Sequence, residues 1–103
     1  MIKKEGSSRR KKRISTVKKH APVEHAFVTT DGKSLRSILH LARHLDSMTQ
    51  ETFAHHVNAE RNDFTAWLHD VFSEKELAKM VQAHTDKDTV HFIILKHVVA
   101  KIK

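Results

Sequence analysis

The chain contains no cysteine and very little glycine or proline. Among its 103 residues, two are Gly, one is Pro and none is Cys. The absence of cysteine excludes disulfides, thiolate metal sites and cysteine nucleophiles. The scarcity of Gly and Pro argues against an all-β fold, which needs many tight turns. No apolar run approaches the ~18 residues of a membrane-spanning helix, and no apolar h-region follows the charged N-terminus. We therefore expect a cytoplasmic protein with no membrane partner.

Positive charge is concentrated in the first part of the chain. Residues 1–20 carry nine Lys and Arg against one Glu, a net charge of +8, whereas residues 21–103 carry ten Lys and Arg against eleven Asp and Glu. Residues 1–21 also contain too few large apolar side chains to offset the entropy cost of ordering. The sequence thus predicts a disordered basic arm, residues 1–21, followed by a helical domain, residues 22–103.

The arm has the composition of a segment that binds a polyanion. Its residues 9–13 are five consecutive cations, and each Lys or Arg can neutralise a phosphate and release a counterion without reading sequence. The absence of aromatic residues from the arm argues against stacking on single-stranded bases. The predicted phosphate-binding residues are Lys3, Lys4, Arg9, Arg10, Lys11, Lys12, Arg13, Lys18 and Lys19.

Helical periodicity begins after the turn signal Asp31-Gly32. Before it, residues 23–29 alternate loosely and predict one short extended segment, for which no partner strand is evident. After it, five segments show helical spacing, so we predict a mainly all-α fold, a compact bundle of about five short helices. The predicted N-terminal caps are Ser34, Ser47, Asn62 or Asp63, Ser73 and Thr85. The clearest apolar stripe comprises Phe64, Trp67, Leu68, Val71 and Phe72.

The fifth predicted helix, Asp86 to about Ile102, is apolar nearly all round. A helix of this kind has to be covered on two sides. We therefore expect it to be either the central helix of the bundle or the contact of a homodimer. One side is predicted to carry Val90, Ile93, Ile94, His97 and Val98, and the other Phe92, Leu95, Val99 and Ile102.

The first predicted helix carries a second group of cations. Arg36, His40, Arg43 and His44 are predicted to form a ridge opposite the apolar stripe of that helix. Either the ridge is an ordinary solvated face, or Arg36 and Arg43 extend the nucleic-acid contact onto the domain. His40 and His44 also have the i, i+4 spacing of half a zinc site, but no further ligand motif accompanies them, so we predict no metal.

From Gly32 onward the chain resembles a prokaryotic domain family of unknown function. The resemblance rests on SLRSILHLARHLDSM, on ETFAHHVNAERNDFTAWLHDVF, and on EKELAK. It implies a small helical domain and no established activity. Within the most specific part, HVN…RNDF..W..DVF, we expect structural roles rather than catalysis, since Asn62 and Asp63 stand where a helix needs caps. The segment contains His56, Asn58, Asn62, Asp63 and Trp67.

These observations predict a nucleic-acid-binding architectural protein associated with the nucleoid, with little sequence specificity and no cofactor. An RNA- or ribosome-associated protein is the alternative within this class. A helical protein–protein interaction module with a basic tail is the alternative outside it. We expect no enzyme activity, because the sequence offers no activated nucleophile, Gly-rich phosphate loop or convincing carboxylate pair.

Overall fold

A computed structural model describes residues 19–101 of the chain. In this range a 3-10 turn, two short strands and five α-helices follow one another. The prediction of a mainly all-α bundle is therefore confirmed, while the predicted arm up to Lys18 and the helix end at Ile102 lie outside the described residues. In chain order the elements are the turn Val23–His25, β1 (Phe27–Val28), β2 (Ser34–Leu35), α1 (Ile38–Ser47), α2 (Gln50–His56), α3 (Asp63–Phe72), α4 (Lys75–Gln82) and α5 (Lys87–Lys101).

The predicted extended segment has a partner strand that the sequence did not reveal. Strand β1 pairs antiparallel with β2, so that Phe27 lies opposite Leu35. The turn between them contains Gly32 at φ +90°, a backbone conformation that favours glycine. Assigning Leu35 to the first helix was wrong. Leu35 is fully buried, and its spacing from Ile38 fits a helix even though the residue belongs to a strand.

The helix caps differ from the predicted ones at most positions. Ser37 rather than Ser34 caps α1, and Thr49 rather than Ser47 caps α2. Ser73 ends α3 in the left-handed conformation instead of starting α4. Two or more hydroxyl or acidic residues stand near each of these helix starts, so the sequence locates a cap only to within a few residues. Of the two predicted caps of α3, Asn62 and Asp63, it is Asn62 that accepts from the Thr65 N–H.

The apolar stripe of α3 is buried and joins the β-hairpin to the helices. Trp67 is 7% exposed, and its indole Nε1 donates to the His25 carbonyl at 2.8 Å. Its ring packs edge-on against Phe27 and Phe72, with centroid separations of 5.7 and 5.0 Å. Phe27 also lies 4.8 Å from Phe64. The hairpin and the turn Val23–His25 are thereby held against one face of α3.

Helix α5 is covered by the body on one side only. Val90, Ile94 and Val98 are buried against the other helices. The opposite side is open: Phe92 is 63% and Val99 51% exposed. Of the two predicted alternatives for this helix, a central position covered on both sides is therefore wrong. Met80 of α4 is also 54% exposed.

We expect Trp67→Ala to be among the most destabilising single changes. It removes a buried ring and a hydrogen bond from the contact between the hairpin and α3, and should lower the free energy of unfolding by about 3–5 kcal/mol. Trp67→Phe keeps an aromatic ring and should cost less than the alanine change. Urea unfolding followed by circular dichroism measures both. An alanine variant within about 1 kcal/mol of the parent would show that Trp67 is not part of the core.

Candidate nucleic-acid interface

Most of the predicted phosphate-binding residues lie outside the described part of the chain. They are the predicted arm residues from Lys3 to Lys18, and their contact with phosphates stays a prediction. Lys19 is described and is exposed, as is His20 after it. The geometry of the candidate interface therefore begins where the chain joins the helical domain.

Two hydrogen bonds fix this junction. The Ala21 N–H donates to the Arg36 carbonyl at 2.7 Å, and Nε of Arg36 donates to the Ala21 carbonyl at 2.8 Å. Ala21 is buried and the Arg36 side chain is half-buried. We call these paired contacts of Ala21 and Arg36 the root clamp. Because Ser37 caps α1, the clamp holds Lys19 and His20 near the start of that helix.

A surface cavity of about 340 Å³ lies next to the root clamp and is lined by His20, Ser37, Leu39, His40 and Arg43. We call it the root cleft. Its His20, His40 and Arg43 side chains are exposed. The Ser37 hydroxyl is already engaged, since it accepts from the His40 N–H at 3.0 Å. The root cleft thus offers one permanent cation and two histidines to an anion.

The predicted ridge on the first helix was wrong for two of its four members. Arg36 precedes α1 and is turned onto Ala21. The His44 side chain is only 10% exposed, and its Nε2 lies 3.0 Å from Oδ2 of Asp31. Asp31 belongs to the hairpin turn, whose position over α1 depends on tertiary contacts. A hydrogen bond from Thr29 lowers the pKa of Asp31; burial opposes this shift, and the contact with His44 adds to it.

The sequence-based prediction did not include His20, which lines the root cleft beside His40 and Arg43. His20 follows Lys19 directly, and that adjacency to the arm was the available signal. Its approach to His40 depends on the contact between Ala21 and Arg36, which are fifteen residues apart. A contact between residues that lie fifteen positions apart does not produce a periodic pattern in the sequence.

The motif residue His56 connects the hairpin to α2 and α3. It is 5% exposed, and its Nε2 lies 3.2 Å from the Thr30 backbone N–H. Because an N–H can only donate, Nε2 must accept, and Nδ1 then carries the ring proton. Nδ1 accordingly donates to Oδ2 of Asp63 at 3.0 Å. Both ring nitrogens are engaged within the fold, which favours a structural role for His56.

The other motif residues also make contacts within the domain. Asn58 donates to the Ala54 carbonyl and accepts from the Glu60 N–H, which closes the turn between α2 and α3. The amide of Asn62 donates to the Val81 carbonyl, in addition to its capping contact. These bonds favour the structural interpretation of HVN…RNDF over a catalytic one.

The Asp63 carboxylate is the charged member of this cluster. Burial opposes its ionisation, but hydrogen bonds from Arg61 and His56 outweigh burial and lower the pKa of Asp63. Arg61 Nη2 lies 3.1 Å from Oδ2 of Asp63. Asp63 is also the first residue of α3, where a negative charge interacts favourably with the helix dipole.

Residues 19–101 contain no group of three or more His, Asp or Glu side chains that could hold a metal ion. None of the helices described there is long and apolar enough to cross a membrane.

The lowered pKa of Asp63 predicts a pH-dependent contribution to stability. The contribution is complete above the unfolded-state value, about 3.9, and is lost as the pH falls through the lower folded-state value. Asp63→Asn should therefore reduce the free energy of unfolding by about 1 kcal/mol at pH 7 and by much less near pH 3. Urea titrations at pH 7, 5 and 3 measure this difference.

Asp46→Asn is the matched control for Asp63→Asn, since Asp46 is an exposed aspartate on α1. Its effect on unfolding should be small at every pH. If Asp63→Asn lost equal stability at pH 7 and pH 3, the ionised carboxylate would not be the stabilising group.

No family model, curated protein or solved structure matches this chain. The resemblance to a helical domain family thus stays a prediction carried by its sequence segments. The candidate interface rests on charge and on the geometry of the root clamp and root cleft.

Proposed function

We propose that the protein binds the phosphate backbone of nucleic acid through its basic arm and the root cleft, as an architectural factor of the nucleoid with little sequence preference. The observation that carries the proposal is the separation of charge. A net charge of +8 lies in residues 1–20, while the remainder has one more acidic than basic residue. Attraction between a dense run of cations and the phosphates supplies most of the free energy of non-specific nucleic-acid binding. This attraction does not depend on the base sequence.

The root clamp supports a nucleic-acid contact surface that continues from the arm onto the helical domain. It places the end of the arm beside the root cleft, where Arg43 is exposed. A phosphate backbone that followed the arm to Lys19 would next meet His20, His40 and Arg43. Arg36 would contribute mainly by holding the junction, because its Nε is bonded to Ala21.

A structured RNA, including ribosomal RNA, is the second candidate of the same class. The arm is basic and contains no aromatic residues. It could therefore bind duplex DNA or duplex RNA, since both present phosphates. A protein–protein interaction module is the candidate of a different class, with the arm as a tail. The exposed Phe92 and Val99 of α5 favour a protein contact. That contact would use a different surface and can coexist with nucleic-acid binding.

Salt dependence of binding tests the proposal directly. Fluorescence anisotropy with three unrelated duplexes of equal length should give similar affinities. With about 5–8 phosphates neutralised, log K should fall with log[salt] with a slope of roughly −4 to −7. Replacing residues 9–13 by alanine should flatten the slope by several units without changing the melting temperature. A parallel titration with duplex RNA decides which nucleic acid is preferred.

The contribution of the root cleft is tested by Arg43→Ala against Lys79→Ala. Each variant removes one exposed positive charge, but Lys79 lies on α4, away from the cleft. Arg43→Ala should reduce the magnitude of the slope by about 0.9, and Lys79→Ala by less. A steep slope that persisted without the cations of residues 9–13 would overturn the arm as the main site.

A further inference from the structure

The exposed apolar side of α5 adjoins a groove between α4 and α5. A cavity of about 470 Å³ runs between the two helices, with Leu77 and Met80 on one wall and Phe92, Ile93 and Ala100 on the other. Phe92, Leu95 and Val99 follow one another at i, i+3 and i+7 on α5 and are 63%, 43% and 51% exposed. This spacing forms a continuous apolar stripe along the helix.

The concentration of exposed apolar side chains on this face is unusual within the described residues. Of the six large hydrophobic residues that are exposed there, Val23 and Val28 belong to the N-terminal turn and hairpin. The other four are Met80, Phe92, Leu95 and Val99. Single exposed apolar residues need no explanation, but a contiguous apolar patch marks an interaction site.

The charges along the groove indicate what covers it. The α4 side carries Glu74 and Glu76, and the α5 side carries Lys96 and Lys101. Lys96 also lies over the ring of Phe92, with its Nζ 5.9 Å from the centroid. The acidic rim thus belongs to α4 and the basic rim to α5. A partner for this surface needs an apolar helix that is flanked by lysines on one side and by acidic residues on the other. A second copy of this chain meets both needs, because its α5 carries the lysines and its α4 the acidic residues.

Glu74 is the more covered of the two carboxylates on the α4 side. His97 lies between the rims, with Nε2 3.8 Å from Oε2 of Glu74. Burial lowers the pKa of His97; Glu74 opposes this shift, and Lys101 adds to it. The lowered pKa favours the neutral form of His97. The Glu74 side chain is only 20% exposed, whereas Glu76 is exposed, so Glu76 is the carboxylate of this rim that a cation from outside can reach.

We propose that two copies of this chain associate through the open side of α5 beside the groove, each placing the Phe92, Leu95 and Val99 stripe of α5 against the other, with Lys96 of one copy facing Glu76 of its partner. A twofold axis makes each contact twice, because both copies use the same surface. The association involves no nucleic acid and is independent of the function proposed above. The root clamp lies at the start of α1, which packs on the covered side of α5, so the dimer leaves the root cleft uncovered.

Sedimentation equilibrium of the full chain, freed of nucleic acid, tests the dimer. The wild type should be dimeric at about 100 μM, as expected for a dissociation constant in the micromolar range. Phe92→Glu should weaken association by about 100-fold. Val28→Glu is the matched control, since Val28 is 65% exposed on the hairpin, and it should leave the dimer intact. A monomeric wild type at that concentration, or a Phe92→Glu variant that dimerises like the parent, would overturn the proposal.

The charged rims permit a second test that does not depend on the folding of Phe92→Glu. Glu76→Lys places a cation in the acidic rim, and Lys96→Glu places an anion in the basic rim. Each alone should associate about 3- to 10-fold more weakly than the wild type at low salt. An equimolar mixture should form heterodimers, because position 96 of each variant then faces the opposite charge at position 76 of the other. Native mass spectrometry distinguishes the species, and a mixture without preferential heterodimers would contradict the proposed pairing of the rims.

Discussion

The rest of the fold depends on the position of the His56 side chain. It is buried, it accepts from the Thr30 N–H, and it donates to the Asp63 carboxylate. One ring thereby joins the hairpin, the end of α2 and the start of α3. The imidazole ring of His56 also packs against Phe27 and Phe64, with centroid separations of 5.0 and 5.7 Å. A buried polar group of this kind stabilises the fold only while both of its nitrogens are satisfied.

The position of the hairpin in turn determines which basic side chains of α1 are exposed on the surface. Its turn carries Asp31, which occupies His44, so that α1 presents His40 and Arg43 but not His44. Leu35 is buried in β2 rather than in a helix, and Arg36 after it is turned back onto Ala21. The same contacts that order the hairpin therefore decide where the basic arm leaves the domain. The candidate interface is a consequence of this packing as much as of charge.

The two proposals concern opposite sides of the domain. The root cleft lies on α1, and the apolar groove lies between α4 and α5. A dimer through the open side of α5 beside the groove would carry two arms on one particle. The second arm then binds at a raised effective concentration, so that weak phosphate contacts add up to a stronger overall attachment. An architectural role would gain from such an arrangement, since one particle could hold two segments of nucleic acid.

The sequence by itself determined the division of charge and the helical class of the domain. Both are local properties: charge is a matter of composition, and the stripe Phe64, Trp67, Leu68 and Phe72 repeats with the period of a helix. The sequence also narrowed the α3 cap to Asn62 or Asp63. It misplaced the caps of α1, α2 and α4 and did not reveal the strand β2, because a two-residue strand has no period and several neighbouring residues are able to cap a helix.

Only the tertiary structure decided which predicted residues share a surface. The pairing of Ala21 with Arg36, of Asp31 with His44 and of Thr30 with His56 each joins segments at least thirteen residues apart. Likewise, the periodicity of α5 shows that both of its sides are apolar, but not which side the body covers. Contacts over such separations depend on how the whole core packs, and a local pattern carries no record of that packing.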